Sequence, residues 1–301
     1  MRTAFVNALL QEAKNDPSIV LVTGDLGFGV LESFQSELPK QFINAGVAEQ
    51  AMMGMAAGIA STGKRVFVYS IANFPTFRCL EQIRNDVCLM NNPVVVVSVG
   101  AGYAYGSQGY THHALEDIAV MRALPNMQVV VPCDPQETKL ATKLLAKSTF
   151  PSYLRLGKNG EQKLHEKEID FKVGKIIEIA KGNDGTILFS GSIGILATKA
   201  REFLLEKGKE VAVASVPFVS SIDKDYLVAR SSKGPIITLE EHSGRGGLGS
   251  AVLESASENR IVAQIRTVSA SQSDLSQIGD QDFLRHVNGL SVEKISEAFM
   301  F

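Results

Sequence analysis

Along the chain, short runs of β-branched and aliphatic residues alternate with longer segments whose apolar positions recur every three or four residues. Short, nearly continuous apolar runs mark strands buried on both faces, and their alternation with helical periods predicts a mainly parallel sheet covered by helices. In the first half, strands are predicted at Ile19 to Thr23, Val66 to Ser70, Val94 to Val99 and Gln128 to Pro132, with an extended piece at Ser152 to Leu156. Helices are predicted over Arg2 to Lys14, Val47 to Ser61, Phe77 to Met90, Ala114 to Leu124 and Pro135 to Lys147. From Lys158 to Lys175 the sequence is charged and sparsely apolar, which reads as a connection. The alternation then restarts, with strands predicted at Thr186 to Ser190, Val211 to Ser215, Ile236 to Leu239 and Ile261 to Arg266, and helices near Ile195 to Lys207 and Gly247 to Ser257. The expectation is an α/β protein of two domains, each a mainly parallel sheet flanked by helices, over 1–165 and 185–301 with a linker at 166–184.

Composition narrows the function. The 301 residues are 45% hydrophobic, enough for two cores. Thirty Lys and Arg against 32 Asp and Glu, with the signs interspersed, leave no basic field for a nucleic-acid backbone or an anionic membrane. Apolar runs such as Pro93 to Val99 are far shorter than the roughly 20 residues of a membrane span, and the first residues are too polar for a signal peptide. A cytoplasmic protein with neither nucleic-acid nor membrane partners is expected. Cys79, Cys88 and Cys133 are odd in number and contain no CxxC pair, so they read as buried small residues rather than disulfide or zinc ligands.

In open parallel sheets ligands bind beyond the carboxyl ends of the strands. The first such loop, Thr23-Gly24-Asp25-Leu26-Gly27, offers Asp25 to orient a ligand, or is a plain tight turn. Next comes Asn44-Ala45-Gly46-Val47-Ala48-Glu49-Gln50, in which a lone carboxylate opens the otherwise apolar helix AMMGMAAGIA. A buried acid must be paired or held neutral, although an acid at a helix start is also favoured by the helix dipole alone. After the second strand, Phe74 and Phe77 offer a wall for a flat ring or serve as core. After the third, GAGYAYGSQGYTHHALED delivers His112 and His113 to a helix start; adjacent histidines point apart, so at most one faces substrate.

In this order the pieces resemble the thiamine diphosphate enzymes of the transketolase class, namely their pyrimidine-binding domain and the C-terminal domain after it. GVAEQ at 46–50 is similar to the family's catalytic-glutamate motif, THH at 111–113 to its Thr-His, and LPNMQVVVPCDPQE at 124–137 to the strand that follows. LEEHSGRGGLGSAV from Leu239 and GDQDFLRHVNGL from Gly279 are similar to its C-terminal domain. The resemblance implies that Glu49 hydrogen-bonds the cofactor pyrimidine at N1′ and drives the imino form of the 4′-amino group, which removes the thiazolium C2 proton. It implies that Asp25 and Leu26 touch the cofactor, that Phe74 or Phe77 packs on the pyrimidine, and that His112 lies beside the sugar substrate.

The family's Gly-Asp-Gly motif, which holds the magnesium ion bridging to the diphosphate, is absent; the chain has only Gly24-Asp25-Leu26 and Gly279-Asp280-Gln281. The resemblance therefore implies a split transketolase in which a separate N-terminal subunit supplies the diphosphate-binding domain and the Mg2+ ligands, within an α2β2 assembly. Where ordinary transketolase has an acidic residue four positions before the histidine, this chain has Gln108, and GAGYAYGS lacks the phosphate-binding arginine of deoxyxylulose-phosphate synthase. Arg155 lies near the family's other phosphate-binding arginine or is an exposed strand-end residue. Tyr103, Tyr105 and Tyr110 are expected to shape a pocket for an unusual sugar or sugar phosphate. The expected reaction is transfer of a two-carbon ketol unit. The alternatives are acyloin formation as in deoxyxylulose-phosphate synthase, a 2-oxo acid dehydrogenase β subunit, or a non-catalytic partner subunit.

Overall fold

A computed structural model describes residues 1–158 and 160–300; Asn159, in the predicted connection, and Phe301, at the end of the predicted second domain, lie outside the described residues. Six parallel strands form the first sheet: β1 (Ile19–Thr23), β2 (Phe42–Asn44), β3 (Arg65–Ile71), β4 (Val94–Val99), β5 (Gln128–Val130) and β6 (Ser152–Leu156), in the order β2-β1-β3-β4-β6-β5. Strands β1, β4 and β6 are buried along their whole length, which is why their sequences run apolar without alternation. The chain passes from β1 to β2 on one side and then to β3 on the other, so a crevice opens above the junction of β1 and β3.

The second sheet has the order β11-β10-β8-β9-β7, built from β7 (Ile177–Ala180), β8 (Thr186–Ser190), β9 (Ala212–Ser215), β10 (Ile236–Ser243) and β11 (Ile265–Ala270). All its pairings are parallel except β7 with β9. Strand β7 falls inside the segment expected as linker; it is a half-exposed edge strand whose four residues give too short a signal to read. Strand β11 begins four residues later than its predicted start because the chain turns at Arg260, whose φ is 55°, and Val262 faces solvent. The predicted helix from Phe77 to Met90 is instead a single turn at Leu80–Gln82 that runs into a wide π-helical stretch at Ile83–Leu89, and a separate helical turn at Asn73–Thr76 precedes it. Such widened turns recur near functional sites.

The two sheets are not independent bodies. One apolar cluster runs from Val20, Met52 and Val66 of the first domain through to Leu188, Ala214 and Leu248 of the second. Beside it, the edge strand β5 is continued by the segment after β9: Val131 N–H donates to Pro217 O at 2.7 Å and Val219 N–H to Val129 O at 3.0 Å, around an antiparallel bridge of Val130 with Phe218. The charged connection is held where it crosses. Asp134, the N-cap of helix Pro135–Leu145, accepts from the Leu164 and His165 amides at 3.0 and 3.2 Å, and buried His165 bonds Glu137 at 2.8 Å. All three cysteines are buried and free; burial pushes the Cys79 thiol up to about 12 and Cys88 up to about 11, which leaves them protonated and inert.

Candidate active site

Four strand ends of the first sheet converge on the crevice. Asp25, beyond β1, sits at φ 58° and is braced against Asn44 at the end of β2: its amide donates to Asn44 Oδ1 at 2.9 Å and Asn44 Nδ2 returns a bond to its carboxylate at 3.1 Å. Asn44 Oδ1 also accepts the Gly46 amide at 3.0 Å, which fixes the chain entering helix Glu49–Ala60. Asp25 and Leu26 line a small hollow of about 60 Å3 with Phe28, Glu32 and Asn44.

Glu49 is 4% exposed at the first turn of its helix, and Arg78 Nη1 donates to its Oε2 at 2.8 Å. The buried acid is thus paired, by a residue that no sequence motif singles out. The same guanidinium lies 4.6 Å from the centroid of Phe74, whose ring meets His112 edge-on at 5.3 Å. Glu49, Arg78, Phe74 and His112 form one continuous chain of contacts from β2 to the loop after β4. A neighbouring cavity of about 520 Å3 is lined by Asn73, Phe74, Phe77, Arg78, Tyr110 and Thr111, among others.

The loop carrying His112 is pinched at its base, where Gly102 and Ala114 exchange backbone hydrogen bonds at 2.9 and 3.0 Å. Asn73 donates to the carbonyls of Thr111 and His113, so the turn after β3 holds the far side of the loop. Thr111 Oγ1 lies 3.0 Å from His112 Nδ1, which fixes the ring, and Tyr105 flanks it at 6.4 Å with Lys158 Nζ 4.6 Å from the tyrosine centroid. His113 is buried against Tyr103 and Gly106; burial holds its imidazole below the ordinary range, which suits a neutral core residue. Gln108 is exposed at the end of a 3-10 turn in this loop.

Two expected positions differ. Arg155 is neither exposed nor at the cavity mouth: it is 2% exposed, bonds Asp117 at 2.7 Å, and donates to the carbonyls of Ala114 and Glu241 at 2.6 and 3.1 Å. Burial pushes the Asp117 carboxyl up, but Arg155 beside it more than offsets this and holds it below its usual range. With these partners inside the fold, Arg155 is not free to take a substrate phosphate. Tyr103, 2% exposed, packs in the core with Leu115, Cys133 and Phe189 rather than shaping the pocket. The positive charge at the site comes instead from Arg78, 48% exposed, and Lys158. Neither carries a motif that marks it in the sequence.

Residues 1–161 match the family described as transketolase, pyrimidine binding domain, and residues 174–295 match transketolase, C-terminal domain. A relative from Phocaeicola vulgatus, named as a subunit of apulose-4-phosphate transketolase, is 40% identical over 267 residues, covering 88% of this chain and 86% of its own. A 1-deoxy-D-xylulose-5-phosphate synthase from Acaryochloris marina is 33% identical over 274 residues, covering 88% of this chain, which spans only 42% of that protein's length. Among solved structures, one described as a split gene transketolase, inactive beta4 tetramer, superposes with a TM-score of 0.88 at 34% identity, over 99% of this chain and 96% of that one.

Proposed function

Because the chain belongs to the transketolase family through both of its domains, we propose that it is the C-terminal subunit of a two-chain transketolase that moves a two-carbon ketol unit between sugars with thiamine diphosphate. The observation that carries this reading is the buried Glu49 carboxylate opening an apolar helix beside an aromatic-lined cavity. These residues fit the aminopyrimidine half of the cofactor, which needs a carboxylate acceptor in a dry site and an apolar surface for its ring. Once bound, thiamine diphosphate supplies the carbon nucleophile and the electron sink.

The chain's own residues have distinct tasks in this proposal. Glu49 holds a hydrogen bond to the ring nitrogen and exchanges its proton there. Phe74 and Phe77 offer apolar faces to the pyrimidine, and Asp25 with Leu26 borders the cofactor from the β1 side. His112, fixed by Thr111 and Phe74, hydrogen-bonds the sugar's carbonyl or hydroxyl oxygens, while Gln108 and Tyr105 lie on the same loop as the substrate wall. Arg78 and Lys158 supply positive charge for an anionic sugar such as a sugar phosphate, the class named for the Phocaeicola relative. The diphosphate and its Mg2+ fall to a separate N-terminal subunit, because this chain lacks a Gly-Asp-Gly motif. Two copies of each subunit would complete the assembly.

Acyloin formation of the deoxyxylulose-phosphate synthase kind is the weaker reading, since that relative is less similar and its match covers less than half of it. A non-catalytic role leaves the paired buried acid and the fixed histidine without a task. The test is to mix the chain with its partner subunit, thiamine diphosphate and magnesium and to follow ketol transfer. Glu49→Gln is expected to lower kcat by about 10²–10⁴-fold, the range for loss of a proton-transfer group. Full activity of that variant removes Glu49 from the mechanism. Tight cofactor binding by the isolated chain contradicts the split site.

A further inference from the structure

The second domain grips the base of the substrate loop through the carboxylate of one buried side chain. Glu241, on β10, is 3% exposed. Its Oε1 accepts the Tyr103 amide at 2.7 Å and Gln281 Nε2 at 2.9 Å, and its Oε2 accepts Arg285 Nε and Nη2 at 2.9 and 2.5 Å. Tyr103 follows Gly102, the residue that closes the base of the loop carrying Tyr105, Gln108 and His112. Gly102 has φ +61°, and a Cβ there would stand 2.5 Å from Glu241 Cγ and Cδ, so the carboxylate is seated against bare backbone. From the other side Arg155 Nη2 joins Ala114 O to Glu241 O, closing a ring around the two ends of the loop. Farther along, a Cβ on Gly106 would meet Leu284 and the Gly279 carbonyl at 2.5 and 2.6 Å, so the loop also rests on the start of helix Gln281–Val287.

We propose that Glu241 is a positioning residue for sugar binding: by holding the Tyr103 amide it fixes the base of loop 102–114, and with it the place of His112. This rests on the transketolase reading for what the loop binds, but not for the loop's order. A carboxylate accepting a buried amide makes a short, strong bond, and leaving that amide without its acceptor carries the cost of an unsatisfied buried donor. Arg285 and Gln281 keep that carboxylate aimed, so the C-terminal domain contributes to substrate recognition as well as to packing.

The test contrasts two uncharged pairs. Glu241→Gln with Arg285→Met keeps an acceptor oxygen for Tyr103, whereas Glu241→Leu with Arg285→Met removes it; both avoid an unpaired buried charge. Amide hydrogen exchange of the full chain is expected to be about ten-fold or more faster over residues 102–114 in the Leu/Met pair than in the Gln/Met pair, with the sheets unchanged. In the two-chain enzyme the Leu/Met pair is expected to raise sugar KM by about ten-fold while half-saturation by thiamine diphosphate stays put. Gly102→Ala pushes on the same contact from the loop side and is expected to give the same two changes with the second domain untouched. Equal loop exchange in both pairs, or in Gly102→Ala and wild type, overturns the proposal. If the loop loosens and sugar KM does not move, Glu241 orders the loop without serving sugar binding and the proposed role fails. An inactive wild-type mixture strikes the transketolase reading instead and leaves the exchange result standing.

Discussion

Arg155→Met separates a residue of the fold from a residue of the substrate pocket. The arginine is fully enclosed, and the substitution keeps most of its length while removing the charge and three hydrogen-bonded contacts: those to Asp117, Ala114 O and Glu241 O. Asp117, 0% exposed, then retains the Tyr153 hydroxyl at 2.5 Å, but the arginine cation is gone. Removing one partner of a buried ion pair costs about 3–5 kcal/mol. At roughly 2–4 °C per kcal/mol for large domains, thermal unfolding should fall by roughly 6–20 °C. Differential scanning calorimetry of the isolated chain measures this without any partner or substrate. Arg155→Met with Asp117→Leu removes both charges and should recover most of the loss, because the remaining cost is packing rather than an unpaired charge. A single variant that melts with wild type and only raises KM for a phosphorylated sugar would refute the structural assignment and restore Arg155 to the pocket.

Two further substitutions probe the connection between the domains. Burial pushes the His165 imidazole down, but the hydrogen bond and charge of Glu137, with Asp134 nearby, outweigh this and raise it above its ordinary value. A raised value means that the folded chain holds the proton more tightly, so the stabilisation is complete below the unfolded value of about 6.5 and fades as pH rises through the folded one. The stability gap between wild type and His165→Gln, measured by urea titration, should therefore shrink with rising pH; a gap that widens contradicts the pairing. Asp134→Ala deletes a helix N-cap and frees the Leu164 and His165 amides together. It should cost at least the ~1 kcal/mol of an ordinary cap and speed proteolysis within 160–175, and unchanged cleavage there would show that the connection is anchored elsewhere.

What the sequence disclosed followed from how local each signal was. Glu49 stood out because one carboxylate in an apolar helix must be accounted for, and THH stood out because a glycine-rich loop led to it. Arg78 did not, being an ordinary arginine whose importance lies in a partner 29 positions away. Arg155 was visible as a residue but not as a buried one, since Asp117 lies 38 positions earlier and only folding brings the two together. Glu241 is the extreme case, meeting Tyr103 across 138 positions. The strands buried on both faces were easy to read, whereas β2 and β7 were not, because three or four half-exposed residues carry no period.

The junction at β5 has a consequence for how this polypeptide can be divided. An edge strand with open N–H and C=O groups is a template for another chain, and here the segment around Phe218 covers it. A gene encoding residues 1–165 alone would yield a first sheet with a bare margin and an uncovered apolar flank, expected to accumulate as aggregates when expressed. Fission between these two domains therefore carries a penalty at the stage of biogenesis, before any catalysis is at stake.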